Sequence, residues 1–337
     1  MISNIYILDG GAYSGGGEAM FQLGCDFLQR GYAVSLIDAR KDTSVKPPAK
    51  FNKYFERGLR YCSVSDIADI PSNAVLVPDS GTEFLFRFKR AKKIIYWLSY
   101  EFYDGKLMWN SAESWISSFL NSFQMNWMRL LHFSRNILRF GRLHFPLTDA
   151  VNLSGSCYTS EKLEKMKVSY VPLVHPIGVD FLDAGMYDSK EGRQNIVLYN
   201  PAKPSRLTKK LLERNRFQYT PIQSLTVDQM IVLFRQSKLY IDFGNFPGPE
   251  RLPKETVFNG VNVLVWAMHA AKTDDVLIPE RYKLSTRTTP QEAERMIGHM
   301  LDNYSEENKD FDAFREMVQN MQANYERQLD HICASYL

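Results

Sequence analysis

Short apolar runs ending on glycine, proline or a charged residue recur along the chain, with segments of helical periodicity between them. Residues 4–11, NIYILDGG, read as a buried strand entering a glycine loop. Residues 17–31 place Met20, Phe21, Leu23, Cys25, Phe27 and Leu28 on a broad apolar face ahead of Gly31, which predicts a helix closed by that glycine. YAVSLIDA at 32–39 predicts the next strand. Strand, loop, helix and strand in this order form a βαβ unit, so a parallel sheet is expected.

Further strands are expected at 73–79, 93–99 and 168–174. Turn formers and charge then punctuate residues 175–194, which read as a linker between domains. A second βαβ series starts with a strand at 195–201. It continues with a helix at 206–215, a helix at 226–237 capped by Thr226 or Asp228, and a strand at 238–244. A proline- and glycine-rich turn follows, then a helix from about Pro253, Gly260 near its end, and the strand NVLVWA. The chain from Thr289 onward reads as helical, with Pro290 near the start. There are two similar halves and no solenoid repeat.

A chain of 337 residues is comfortable for two domains, and 45% hydrophobic with 23% charged residues is the ordinary globular range. A net charge of +3 gives no argument for nucleic acid as a partner. Cys25, Cys62, Cys157 and Cys333 are far apart and lack metal-ligand spacing, which fits a reducing, cytoplasmic compartment. The first residues lack a basic n-region, and no uncharged apolar stretch reaches spanning length.

Three segments resemble the family-4-type nucleotide-sugar glycosyltransferases (glycosyl transferases group 1). Gly16, Gly17, Glu18, Arg30 and Gly31 are similar to that family's first loop and helix. HPIGVDF at 175–181 is similar to its Pro-x-Gly-Val-Asp turn. ETVFNGVNVLV at 255–265 matches its Glu-helix-Gly-x-x-Val segment, with Glu255 on the second glutamate of a Glu-x7-Glu motif. The likeness skips residues 41–141. It also departs at Pro247, which stands where the first glutamate would be, while Asn245 and Glu250 are out of register.

The resemblance implies an α/β chain of the GT-B fold, two Rossmann-like domains facing each other across a cleft, with a C-terminal helical tail. Residues 1–182 would be the acceptor domain, 183–310 the nucleotide-sugar domain, and 311–337 the tail packing back on the first domain. It also implies transfer of a sugar from a nucleotide-sugar donor to a glycan or lipid-linked glycan, with retention at the anomeric carbon. No cofactor or metal is implied, and the nucleotide-diphosphate sugar is the co-substrate. Proximity and leaving-group stabilisation would carry most of the rate.

Glu255 stands where a strand-end loop enters a helix, where a carboxylate can accept from two ribose hydroxyls. The plain alternative is a glutamate favoured by the helix dipole. Lys203 and Arg206 follow a second-half strand and match an Arg and a Lys that the family sets against the leaving diphosphate. Lys209 and Lys210 read as a solvated helix end. The same loops add Asn200, Gly244, Asn245, Gly248, Glu250 and Lys254 to the expected donor-binding set. Gly15, Gly16, Gly17 and Glu18 form the expected acceptor-side loop, and Glu101, after a predicted strand, is a catalytic or acceptor-contacting candidate beside Lys203 and Arg206.

Two rivals stand beside this reading. One is a catalytically weak nucleotide- or glycan-binding protein on the same fold, motivated by Pro247. The other is a dinucleotide-dependent oxidoreductase with Asp38 as ribose ligand, although no G-x-G-x-x-G is in register before the first helix. The segment bounded by Trp115 and Phe145 mixes aromatics with Arg129, Arg135, Arg139 and Arg142. It reads either as core-facing helices or as a peripheral contact with anionic lipid at the inner face of a membrane. His132, His144, His175, His269, His299 and His331 lack catalytic spacing and read as structural.

Overall fold

The computed structural model describes residues 2–9, 11, 15–38, 47–103, 134–135, 137–142, 144–187, 189–203 and 205–337. The chain divides into two compact units. Met1–Gly155, Thr159–Pro172 and His331–Leu337 make the first, and Ser156–Tyr158 with Leu173–Asp330 make the second.

The first unit runs β1 (Asn4–Asp9), α1 (Gly15–Gln29), β2 (Ala33–Asp38), α2 (Asn52–Glu56), β3 (Tyr61–Cys62), β4 (Asn73–Pro78), β5 (Lys92–Trp97), β6 (Val151–Ser154), most of α3 (Cys157–Lys165) and β7 (Val171–Pro172). Among the described residues its sheet has the order β3-β2-β1-β4-β5-β6-β7, with every pairing parallel. Strands covered on both faces need continuous apolar sequence. Accordingly Ile94, Ile95, Tyr96 and Trp97 of β5 are all buried, as are Val75, Leu76 and Val77 of β4. The short β6 was not expected from its sequence, VNLS, and is held by a buried polar side chain. Asn152 accepts the Trp97 indole N–H at 2.9 Å and donates to the carbonyls of Leu147 and Ala150.

Helix α1 ends at Gln29, and Gly31 follows at φ +88°, a conformation glycine adopts without strain. Its start corrects one expectation. Gly15, Gly16, Gly17 and Glu18 form the first turn of the helix rather than a loop. Glu18 accepts from the Tyr54 hydroxyl at 2.9 Å and lies 3.6 Å from the Lys53 ammonium, so α2 holds it. The strand expected over 168–174 shrinks to Val171–Pro172.

Asp79 closes β4 and is almost wholly buried. Its Oδ2 accepts the N–H groups of Leu98 and Ser99 at 2.8 and 2.6 Å, tying the ends of β4 and β5. Burial outweighs those bonds and pushes its carboxyl up to about 7 from 3.8. Between these values the folded chain holds a proton that the unfolded chain has lost, so this group's contribution is full below pH ~4 and is lost as pH rises through about 7. Melting temperature is therefore expected to fall more from pH 5 to 8 in the wild type than in Asp79→Asn. Parallel pH profiles would contradict this assignment.

The second unit contains α4 (Val179–Asp183), β8 (Gln194–Tyr199), α5 (Arg206–Arg214), β9 (Gln218–Pro221), α6 (Val227–Gln236), β10 (Ser237–Asp242), α7 (Arg251–Phe258), β11 (Asn262–Trp266), β12 (Lys283–Leu284), α8 (Pro290–Asp302), α9 (Tyr304–Glu307) and most of α10 (Asp312–Tyr336). Its parallel sheet has the order β12-β11-β10-β8-β9 among the described residues. Thr226 rather than Asp228 caps α6, in a capping box with Gln229; Thr289 builds another with Glu292, and Pro290 occupies the first turn of α8, near the helical start that the sequence predicts. The stretch read as a linker contains α4 and belongs to this unit.

One arginine pins the unit together. Arg193, just before β8 and 8% exposed, donates to the carbonyls of Ser189, Phe234, Ser237 and Asn259 at 2.6–2.9 Å. It also lies over the rings of Tyr187 and Tyr304. Gly260 follows α7 at φ +79°, and a Cβ there would stand 2.7 Å from the Tyr187 carbonyl oxygen.

Candidate functional site

In a parallel sheet of order 2-1-3-4-5, the loops leaving the first and third strands diverge and open a crevice at the strands' carboxyl ends. The second unit has this order, with β8 first and β10 third. The loop after β8 carries Lys203, and the loop after β10 carries Gly244 through Glu250. Of the expected donor-binding residues, Lys203, Gly244 and Glu250 are brought together at the divergence of the sheet.

Asp242 ends β10 and is buried. Tyr240, two residues earlier on the same face of the strand, donates its hydroxyl to Asp242 Oδ2 at 2.8 Å, and the Gly244 N–H donates to Oδ1 at 3.0 Å. Burial raises the Asp242 carboxyl above its ordinary range, while the tyrosine hydroxyl, the Gly244 N–H and the Lys203 charge pull it down. A Cβ at Gly244 would sit 3.0 Å from Asp242 Oδ1 and 3.2 Å from the Lys203 Cβ. A side chain there would have to push these neighbours back by a few tenths of an ångström, so the close approach of the two loops favours glycine.

Lys203 forms an ion pair of 2.5 Å with Glu250. Glu250 is the N-cap of α7 by position, but its side chain reaches Lys203 and makes no capping bond. Burial raises its carboxyl, and Lys203 opposes that rise. Arg206 is the exposed first residue of α5, whose N-cap Ser205 accepts the Thr208 N–H at 3.0 Å. A cation and a helix N-terminus together favour an anion. Asn200 Oδ1 accepts the Ala202 N–H at 3.0 Å and shapes the turn that carries Lys203. Asn245 is exposed, and Pro247 and Gly248 are buried in the loop.

Helix α7 begins at Arg251, so Pro253 lies in its first turn, where no intrahelical N–H bond is lost. Lys254 and Glu255 follow and are 2% and 6% exposed. The Glu255 carbonyl accepts from the Asn259 side chain at 2.9 Å. Glu255 thus stands one turn into the helix rather than at its entry, and such burial exceeds what a dipole-favoured surface glutamate needs.

The structure adds groups that the sequence reading did not select. Asp242 carried a signal, a carboxylate closing the apolar run KLYID. Arg251 and Lys254 are three apart and share a helix face, a spacing visible in the sequence. His175, read as structural, gave no spacing signal, because its neighbours come from α7, which begins 76 positions later.

Glu101 lies in the first unit, in the 3-10 turn Tyr100–Phe102 after β5. The membrane-facing expectation falls partly on residues 115–133, 136 and 143, which lie outside the described residues. Of the remainder, Phe145 is 3% exposed and packs edge-on against Phe86, which corrects the idea that it enters a headgroup layer. Arg142 pairs with Asp149 at 3.6 Å, while Ile137 and Leu138 are exposed. No helix among the described residues is long and apolar enough to cross a membrane.

No family model matches the sequence, and no curated protein matches it. Solved structures do. A protein from Anabaena, HepE, solved with UDP-glucose, superposes with a TM-score of 0.62 at 10% identity, covering 98% of this chain and 99% of that one. A glycosyltransferase from Rickettsia africae superposes at 0.61 and 10% identity, covering 99% and 98%. Sucrose-phosphate synthase from Thermosynechococcus elongatus superposes at 0.61 and 13% identity, again covering 99% and 98%. The two parallel α/β units and the C-terminal helix are those of the GT-B fold, the fold of these glycosyltransferases.

Proposed function

We propose that this chain transfers a sugar from a nucleotide-sugar donor, which the second unit binds. The observation that carries the reading is the convergence of Lys203, Gly244, Glu250 and buried Glu255 around the β8/β10 divergence. Glu255 accepts the ribose hydroxyls. Lys203, Arg206 and the N-terminus of α5 hold the diphosphate. In the transfer, the bond from the anomeric carbon to the diphosphate oxygen breaks and its electron pair stays on that oxygen. An acceptor hydroxyl oxygen bonds to the anomeric carbon, and its proton passes to the departing oxygen. The cations stabilise the charge that develops, which supports a metal-independent, retaining transfer. A glycan or lipid-linked glycan is the acceptor class we favour, and Glu101 and the Gly15–Glu18 turn are its candidate contacts.

The dinucleotide reading has less support. At the corresponding divergence of the first unit, between β1 and β4, buried Asp9 accepts the Gly11 N–H and the Tyr61 hydroxyl. A carboxylate there opposes a pyrophosphate. A screen of nucleotide sugars, begun with UDP-glucose and read as release of nucleoside diphosphate, tests the proposal. Turnover of at least one donor is expected. Inactivity on every donor, together with nucleotide binding, would favour the catalytically weak binding protein.

A further inference from the structure

The Lys203 ammonium, which the donor diphosphate would need, is already engaged by Glu250 at 2.5 Å. The two side chains are only 32% and 20% exposed, so neither is a freely solvated surface charge. Glu250 stands at the N-cap position of α7 yet makes no capping hydrogen bond, so its carboxylate is committed to the loop after β8.

Charged and titratable groups face this pair from several elements. From β10, Asp242 is 5% exposed, holds the Tyr240 hydroxyl and the Gly244 N–H, and acts on Glu250 with like charge. From α7, Lys254 acts on Glu250 with opposite charge, Arg251 is its chain neighbour, and Glu255 acts together with Glu250 and Asp242 on Tyr240. From the chain before α4, the His175 ring bonds the backbone of Pro249, next to Glu250. Two carboxylates, Glu250 and Asp242, thus draw on the single Lys203 ammonium. Burial raises both carboxyls, and Lys203 opposes the rise in each.

A diphosphate that reaches Lys203 brings negative charge close to the Glu250 carboxylate and turns its counter-ion away. Like charges that share a largely covered site do not both stay ionised without cost. We propose that Glu250 is a positioning residue, which holds Lys203 in place before the donor arrives and takes up one proton as the donor diphosphate claims the ammonium. This rests on the donor reading of the same site. The proton comes from solvent and binds a Glu250 carboxylate oxygen, while Lys203 keeps its own protons throughout. Because binding consumes a proton, donor affinity falls as pH rises, by at most about tenfold per pH unit.

Calorimetric titration of the full chain with UDP-glucose and GDP-mannose, at pH 7.5 in two buffers of different ionisation enthalpy, counts the protons. Both diphosphates are esterified at each end and exchange no proton near neutrality, so any uptake belongs to the protein. About 0.5–1 proton is expected per donor bound, and affinity should fall about 3–10-fold from pH 6.5 to 8. Glu250→Gln should take up none, and its affinity should be flat over that range. A merely structural ion pair would shift affinity alike at every pH and leave the proton count unchanged. Without ligand, Lys203→Met leaves the Glu250 carboxyl raised by burial with that lysine no longer opposing. The contribution of Glu250 is then full below its ordinary 4.5 and is lost as pH rises through the raised value. The melting deficit of Lys203→Met against the wild type should therefore be larger at pH 8 than at pH 5, by about 2–4 °C.

Donor binding without proton uptake overturns the proposal and leaves the donor reading standing. Uptake that survives in Glu250→Gln also overturns it, since Asp242 or His175 would then carry the proton. An equal deficit of Lys203→Met at pH 5 and pH 8 does the same. If neither of these nucleotide sugars binds, nor any other in the donor screen, the donor reading fails and this proposal falls with it.

Discussion

Arg193→Ala is expected to destabilise the second unit by at least about 3 kcal/mol, the largest stability effect of any single substitution proposed for this chain. The guanidinium donates to four carbonyls from three separated segments, three of them buried, and alanine removes all of these bonds. It also vacates the space between Tyr187 and Tyr304. Arg193→Lys should recover only a minor part, because one ammonium cannot reproduce the planar fork. Urea unfolding followed by far-ultraviolet circular dichroism reads the difference. A midpoint for Arg193→Ala equal to that of the wild type would show that water or neighbouring donors replace the side chain without cost.

The second large effect concerns turnover. Arg206→Ala and Lys203→Ala should each lower kcat about 100-fold, and more than they raise the donor KM, because charge grows on the leaving phosphate in the transition state. Arg206 is exposed, so its variant should keep the wild-type melting temperature. Lys203→Ala removes the partner of Glu250 and should also melt lower. The comparison separates catalysis from folding. Near-wild-type kcat in both variants on a donor that the chain accepts would remove these residues from the leaving-group site.

The sequence showed the elements whose local signals agree. Continuous apolar runs marked β1, β4, β5, β8, β10 and β11, and a capping residue at Thr226 or Asp228 and the proline at 290 marked two helix starts. The elements that escaped have little local signal. β3 and β12 have two residues each, β9 is an edge strand with polar sequence, and β6 depends on Asn152, whose partner Trp97 is 55 residues away. The site divides in the same way. Lys203 and Gly244 lie on loops, and Glu255 one turn into a helix, whose chemistry the chain order displays. The contacts of His175 with α7 follow from tertiary packing and are invisible in any window of the sequence.

The central claim is that the second unit holds a nucleoside diphosphate at its β8/β10 divergence, with Glu255 on the ribose. Calorimetric titration of the wild type with UDP, GDP and NAD, repeated on Glu255→Ala, tests it most directly. The expected result is binding of UDP or GDP, weakened in Glu255→Ala by about 1–3 kcal/mol, with an unliganded melting temperature close to the wild type. Binding of NAD alone, or nucleotide affinity unchanged in Glu255→Ala, would contradict it.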